Sequence, residues 1–166
     1  MKTRLIPEFT LAFEDPTDSL GFSIWKTALL WQKAVKERLD PVGITHVQFL
    51  LLNSLATLNK NQNLAITQRM LSDHSGCDKM MTSKVLRTLE ERKLVYRKNH
   101  HSDTRSWSLL LSTKGLEVLR DATAAFTEAE NAFFEFLGKK ERGFSKRIRK
   151  LNKFHQGTVQ AIGEPQ

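Results

Sequence analysis

The sequence predicts a mainly α-helical protein carrying one small β-hairpin, and three observations predict it. Residues 67–115 run in the order helix, tight turn, helix, hairpin. Apolar residues recur at helical spacing on both sides of that segment. Positive charge concentrates inside it: residues 67–114 hold 10 Lys/Arg and 5 Asp/Glu, a net of +5. Residues 1–66 hold 7 and 6, a net of +1, and residues 115–166 hold 9 and 7, a net of +2. Helix, turn, helix and wing in that order make a winged helix-turn-helix with N- and C-terminal helices left over. Such a head places its second helix in the DNA major groove. The overall +8 charge of the 166 residues fits a polyanionic partner.

The elements follow in order. Residues 1–18 read as irregular, with Pro7 and Pro16 as breakers. Ser19 to Leu39 is helical, with one apolar stripe of Phe22, Trp25 and Leu29 and a second of Ile24, Ala28, Trp31 and Val35. Two apolar faces imply burial on two sides, by the chain's own core and by a partner. Asp40-Pro41-Val42-Gly43 ends it, and Thr45 caps a second helix through Leu58. Asn59 to Asn63 is a polar loop, and Leu64-Ala65-Ile66 reads as a very short strand. Thr67 caps a helix that turns Met70 and Leu71 inward and stops at Ser75-Gly76. Asp78 caps the next helix, to about Arg92, with Thr82, Val85, Leu86 and Leu89 facing in. Leu94 to Asn99 and Arg105 to Leu111 are strands joined by the polar loop His100-His101-Ser102-Asp103-Thr104.

Ser112 or Thr113 caps a long helix in which Leu119, Ala122, Phe126, Ala129, Phe133 and Phe136 are spaced 3, 4, 3, 4, 3. That spacing is a coiled-coil type seam, read as a subunit interface with an intramolecular core stripe as the alternative. A last helix sets Phe144, Ile148, Leu151 and Phe154 against Lys146, Arg147, Arg149, Lys150 and Lys153, a basic face read as solvated. The expected divisions are 1–44 for the N-terminal segment and first dimerisation helix, 45–111 for the DNA-reading head, and 112–166 for the C-terminal dimerisation helices.

If the second reading-head helix turns Thr82, Val85, Leu86 and Leu89 inward, then Lys79, Met80, Ser83, Lys84 and Arg87 face out together. Arg87 and Lys84 can pair with guanine or phosphate, Ser83 can serve either role, and Met80 can meet a thymine methyl. Thr67 joins them at the preceding helix start. An arginine at a hairpin tip, Arg105, suits the narrow minor groove, and Asp103 can orient it by a charge-assisted bond.

Around these residues the chain resembles the multiple antibiotic resistance regulator (MarR) family. The likeness rests on Leu89-Glu90-Glu91-Arg92 followed by Leu94-Val95, on Asp103-Thr104-Arg105, and on Leu111-Ser112-Thr113-Lys114-Gly115, with Gly43-Ile44-Thr45 upstream. It covers roughly residues 20–155. The resemblance implies a homodimeric transcriptional regulator, usually a repressor, relieved by a small phenolic or lipophilic ligand or by thiol oxidation. It also implies that Asp103 positions Arg105 in the minor groove. Two positions depart from the family pattern. Lys93 stands where glycine is usual at the end of the recognition helix, and His100-His101 replaces an Asp-Pro wing opening.

Other features are read more plainly. The single Cys77 excludes an intrachain disulfide and fits a reducing compartment; it is read as a small turn residue, with thiol sensing as the alternative. His46, His74, His100, His101 and His155 show no metal-ligand spacing, no phosphate loop or nucleophile elbow is present, and no cofactor is implied. The protein is therefore expected not to be an enzyme. No h-region follows the basic start, and the longest apolar run, Phe49 to Leu52, cannot span a bilayer, so a cytoplasmic protein without a membrane partner is expected. Phe22, Trp25, His46, Phe49 and Phe126 are candidates to line a cleft for a small apolar or phenolic effector, with plain core packing as the alternative. A winged-helix protein-interaction module and a sequence-neutral, nucleoid-type DNA binder are the competing functions.

Overall fold

The computed structural model describes the backbone of residues 15–60, 65–100 and 103–162, and the side chains of these except 99–107 and 156–162. The helices are α1 (Leu20–Leu39), α2 (His46–Leu58), α3 (Gln68–Ser75), α4 (Lys79–Glu91), α5 (Thr113–Phe134) and α6 (Glu141–Ile162). The hairpin is β1 (Val95–His100) and β2 (Asp103–Leu111), paired antiparallel. Short 3-10 turns at Pro16–Asp18, Asp40–Val42 and Glu135–Lys140 join or precede helices.

Local chemistry starts each helix where the sequence places a cap. Ser19 accepts from Phe22 N, Thr67 from Met70 N, Asp78 from Met81 N and Ser112 from Gly115 N. Thr45 and Gln48 form a full capping box: each side chain accepts from the other's backbone N–H, at 3.2 and 3.0 Å. Gly76, at φ 71°, ends α3 in a left-handed turn that a side chain would strain.

One core holds the head together. Val35 and Leu39 from α1, Leu51, Leu52 and Leu55 from α2, Leu71 from α3, Leu86 and Leu89 from α4, and Leu94 ahead of β1 have no solvent exposure. Each such leucine stabilises the fold by roughly 1.5–3 kcal/mol relative to an exposed one. Helix α5 lies across α1 and α2 and carries Leu119, Ala122 and Ala129 into the same core.

The structure corrects three expectations. Ala65-Ile66 is not a strand; instead Ile66 O accepts from Leu109 N and Ile66 N donates to Ser108 Oγ, both at 2.9 Å, which stitches this segment to β2 (Leu64 lies outside the described residues). The hairpin is tighter than expected: β1 runs on to His100 and β2 begins at Asp103, so His100, Asp103 and Thr104 of the expected loop belong to the strands. A register shift between Asn99 and His100 sets His100 opposite Asp103. Finally, the seam from Leu119 to Phe136 is not one continuous stripe. Its first half is intramolecular core, α5 stops at Phe134, and Phe136 stands 97% exposed in the following 3-10 turn. A spacing of 3 and 4 identifies an apolar face without saying which surface covers it.

Candidate nucleic-acid interface

Helix α4 is held by its inner face, where Thr82, Leu86 and Leu89 are fully buried and Val85 is half-buried. Thr82 Oγ1 also donates to Asp78 O at 2.8 Å. The outer face is open: Lys79, Lys84 and Arg87 are exposed, Ser83 is half-buried, and Met80 is 83% exposed. Among the described residues, no ion pair ties up Lys79, Lys84 or Arg87, whereas Arg69 of α3 pairs with Asp73. Three cations and a thioether on one rigid, outward face make a surface complementary to a polyanionic groove. Thr67 is exposed beside it and serves as the α3 cap. The side chains of Asp103 and Arg105 lie outside the described residues.

The far end of α4 is fixed by several bonds. Lys93 has φ 59°, the left-handed conformation. Lys93 N donates to Glu90 O and Leu94 N to Leu89 O, both at 2.9 Å, which is a Schellman motif with its Leu89–Leu94 apolar pair in the core. The position where glycine is usual thus keeps the backbone turn and lets lysine bear the strain. Ser112 Oγ donates to Lys93 O at 2.7 Å and Lys114 Nζ reaches Arg92 O at 3.5 Å, so the start of α5 closes on the end of α4. Arg92 Nη1 donates to Gln48 Oε1 at 3.3 Å, joining α4 to the α2 capping box. Arg97 of β1 grips Glu90 of α4 with Nε–Oε1 at 2.5 Å and Nη2–Oε2 at 3.4 Å.

Of the candidate cleft residues, His46, Phe49 and Phe126 come together, and Trp31 completes the group. Phe49 stacks on Phe126 with ring centroids 4.6 Å apart, His46 lies parallel to Phe126 at 6.0 Å, and Trp31 meets His46 edge-on at 4.8 Å. Trp31 Nε1 donates to Glu130 Oε1. Phe22 and Trp25 instead pair with each other at 5.4 Å, Trp25 being 57% exposed. At ~1.5 Å rise per residue Trp25 is roughly 9 Å along α1 from Trp31. Burial pushes the His46 imidazole below its ordinary pKa, and its buried Nε2 has no partner among the described residues. A cleft of about 370 Å³ shares Glu130 with this cluster but opens toward the α5–α6 bend, between Phe134, Glu135 and Glu141.

Sequence reasoning missed Trp31 and Glu130 in the cluster and the Glu90–Arg97 pair. Trp31 was visible as a member of an apolar stripe, but its partners come from α2 and α5, and no local spacing encodes that. Cys77 is half-buried in the α3–α4 turn, its carbonyl accepting from Ser72 Oγ at 2.7 Å and its N–H donating to Ser75 Oγ at 3.3 Å.

The MarR family model matches residues 44–107, the span that holds α2, the helix-turn-helix and most of the wing. An HTH-type transcriptional regulator of Bacillus subtilis (strain 168), YdcH, is 33% identical over 138 residues, 83% of this chain and 93% of YdcH. The chain belongs to the MarR family. It is a DNA-binding transcriptional regulator with the winged helix fold of MarR-family structures. The transcriptional repressor CouR bound to a 23-mer DNA duplex is 25% identical, with a TM-score of 0.71 covering 87% of this chain and 99% of that one. The Mycobacterium tuberculosis MarR family protein Rv2887, in complex with salicylic acid, is 25% identical with a TM-score of 0.63, covering 85% and 99%. Among the described residues of this MarR-family chain, no single helix is long and apolar enough to cross a membrane.

Proposed function

We propose that the protein is a ligand-responsive repressor, a cytoplasmic homodimer without catalytic activity that reads a pseudo-palindromic duplex. The observation that carries the reading is the outer face of α4, whose Lys79, Lys84 and Arg87 have no ion pair among the described residues, beside an antiparallel wing. Lys79, Met80, Ser83, Lys84 and Arg87 enter the major groove, Thr67 approaches the backbone, and Arg105, aimed by Asp103, enters the minor groove. The DNA complex of CouR, at 25% identity, supports this docking. Residues 45–111 form the reader, and segments 1–44 and 112–166 join two copies. Support for the second copy comes from Leu20, Ile24, Trp25, Leu29 and Leu30, all exposed along α1, and from the bared Phe136. Paired half-sites require such two-fold symmetry.

The effector is a small apolar or phenolic molecule at the His46–Phe49–Phe126 group, with Phe22 and Trp25 as outer members. The salicylic acid complex of Rv2887 supports that ligand class. The group joins α1, α2 and α5, the helices between dimer arm and reader. A ligand that binds there more tightly in one arrangement of the two heads shifts the population away from the DNA-binding one.

Binding of labelled duplexes across a salt series tests the proposal. The expected result is affinity that falls steeply from about 50 to 200 mM salt, and at least ~10³-fold preference for a selected site over random DNA. Equal affinity for both would make the protein a sequence-neutral binder, and no binding would make it an interaction module.

A further inference from the structure

We propose that Glu90 and Arg97 are a positioning pair, a brace that fixes the wing against the recognition helix and so sets major-groove and minor-groove contacts together. The inference rests on the reading that α4 and Arg105 engage DNA. Along β1, Val95 and Arg97 point to the same side of the hairpin, because side chains alternate. Val95 is buried in the head. Opposite Arg97, Leu109 of β2 is still buried in the core, so at this rung only the β1 side of the inward face turns polar, with a two-pronged ion pair to Glu90. Among the described residues it is the side-chain hydrogen bond that ties the hairpin to α4. One rung beyond it Ser108, paired with Lys98, accepts from Ile66 N, and past that rung, among the described residues, the hairpin has its own ladder, broken by the register shift at Asn99–His100. A forked guanidinium–carboxylate contact fixes both distance and orientation, which one prong alone does not.

The position of Glu90 adds a second argument. Ser83, Arg87 and Glu90 follow one another at spacings of 4 and 3, so a carboxylate continues the DNA-facing stripe of α4. Alone it would repel phosphates. Held by Arg97, it is neutralised and oriented toward the wing. The two accounts of Glu90 give opposite signs. If Glu90 is only a charge near DNA, Glu90→Gln tightens binding. If it is half of a brace, Glu90→Gln weakens binding although the protein gains net positive charge.

The experiment measures duplex affinity of the full chain at several salt concentrations, with melting temperature alongside. The proteins are wild type, Glu90→Gln, Arg97→Gln, the swapped pair Glu90→Arg with Arg97→Glu, and the two single Gln variants each combined with Arg105→Ala or Arg87→Ala. Each single Gln variant is expected to lose roughly tenfold in affinity, in the range that contacting groups show in double-mutant cycles. Melting temperature should hardly change, since a partly exposed ion pair adds little stability. The salt slope of Arg97→Gln should match wild type, as Arg97 acts through the wing and not on a phosphate. The swapped pair should recover part of the loss. The loss should vanish in the Arg105→Ala background and persist in the Arg87→Ala background. Unchanged or tighter binding by Glu90→Gln overturns the brace, as does a melting-temperature drop that accounts for the affinity loss, or full additivity with Arg105→Ala. If Arg105→Ala alone binds like wild type, the minor-groove reading fails on that arm, and the sign of the Glu90→Gln effect still decides the brace.

Discussion

Gly115 lies against the Leu94 carbonyl so closely that a β-carbon on it would stand 2.1 Å from the carbonyl oxygen and 3.0 Å from its carbon. The obstacle is backbone, which a side-chain rotation cannot relieve. The first turn of α5 is thus seated on the turn that ends α4, with Ser112 bonded to both. Gly115→Ala is expected to destabilise the protein by about 3 kcal/mol, the upper range for overpacking a core. A denaturant melt checks it; an unchanged midpoint would mean that α5 can slide away from Leu94 freely.

Lys93 occupies the left-handed position of the Schellman turn. A side chain there costs about 1 kcal/mol relative to glycine. Lys93→Gly should therefore raise stability by roughly that amount, and Lys93→Ala should give no gain, because alanine keeps the β-carbon. Thermal melts of the two variants decide it. An equal gain in both would put the strain in the lysine chain and not in the backbone.

His46 gives the head a pH dependence. Burial lowers its pKa in the folded chain below the ordinary histidine value of 6.5. The unfolded chain then binds more protons than the folded one below that value, so stability is full above it and falls as pH drops through the folded pKa. Melting temperature should decline on acidification below about pH 6.5. His46→Phe, which keeps a ring between Trp31 and Phe126, should flatten that decline. A wild-type profile retained in His46→Phe would assign the effect to other groups.

The exposed side of α1 carries the dimer proposal. Leu29 is exposed, so Leu29→Glu spares the head's own core. It should turn a micromolar dimer into monomer, since each leucine withdrawn from water contributes roughly 1.5–3 kcal/mol per copy and a buried charge opposes association. Sedimentation velocity reads this out. A wild-type monomer, or a Leu29→Glu dimer as tight as wild type, would remove α1 from the interface.

Much of the head was legible because its signals are local. Thr45, Thr67, Asp78 and Ser112 are caps whose hydrogen bonds close within three residues, and the inward face of α4 follows helical spacing. What stayed hidden depends on contacts between different elements. Trp31 meets His46 and Glu130, Ile66 bonds to Ser108 and Leu109, and Glu90 finds Arg97 across the turn. The seam of α5 shows the same limit: Leu119 and Ala129 are buried by the chain itself while Phe136 is bare, a difference that periodicity does not carry.

The central claim, that α4 reads bases at two symmetric half-sites, is tested most directly by selecting bound fragments from random duplex DNA with wild type and with Arg87→Ala. The account predicts a two-fold motif with half-sites about one helical turn apart for wild type. For Arg87→Ala it predicts the same motif with preference relaxed at one position per half-site and affinity lowered by roughly 1–3 kcal/mol. No two-fold motif from wild type, or an identical motif and affinity from Arg87→Ala, would contradict it.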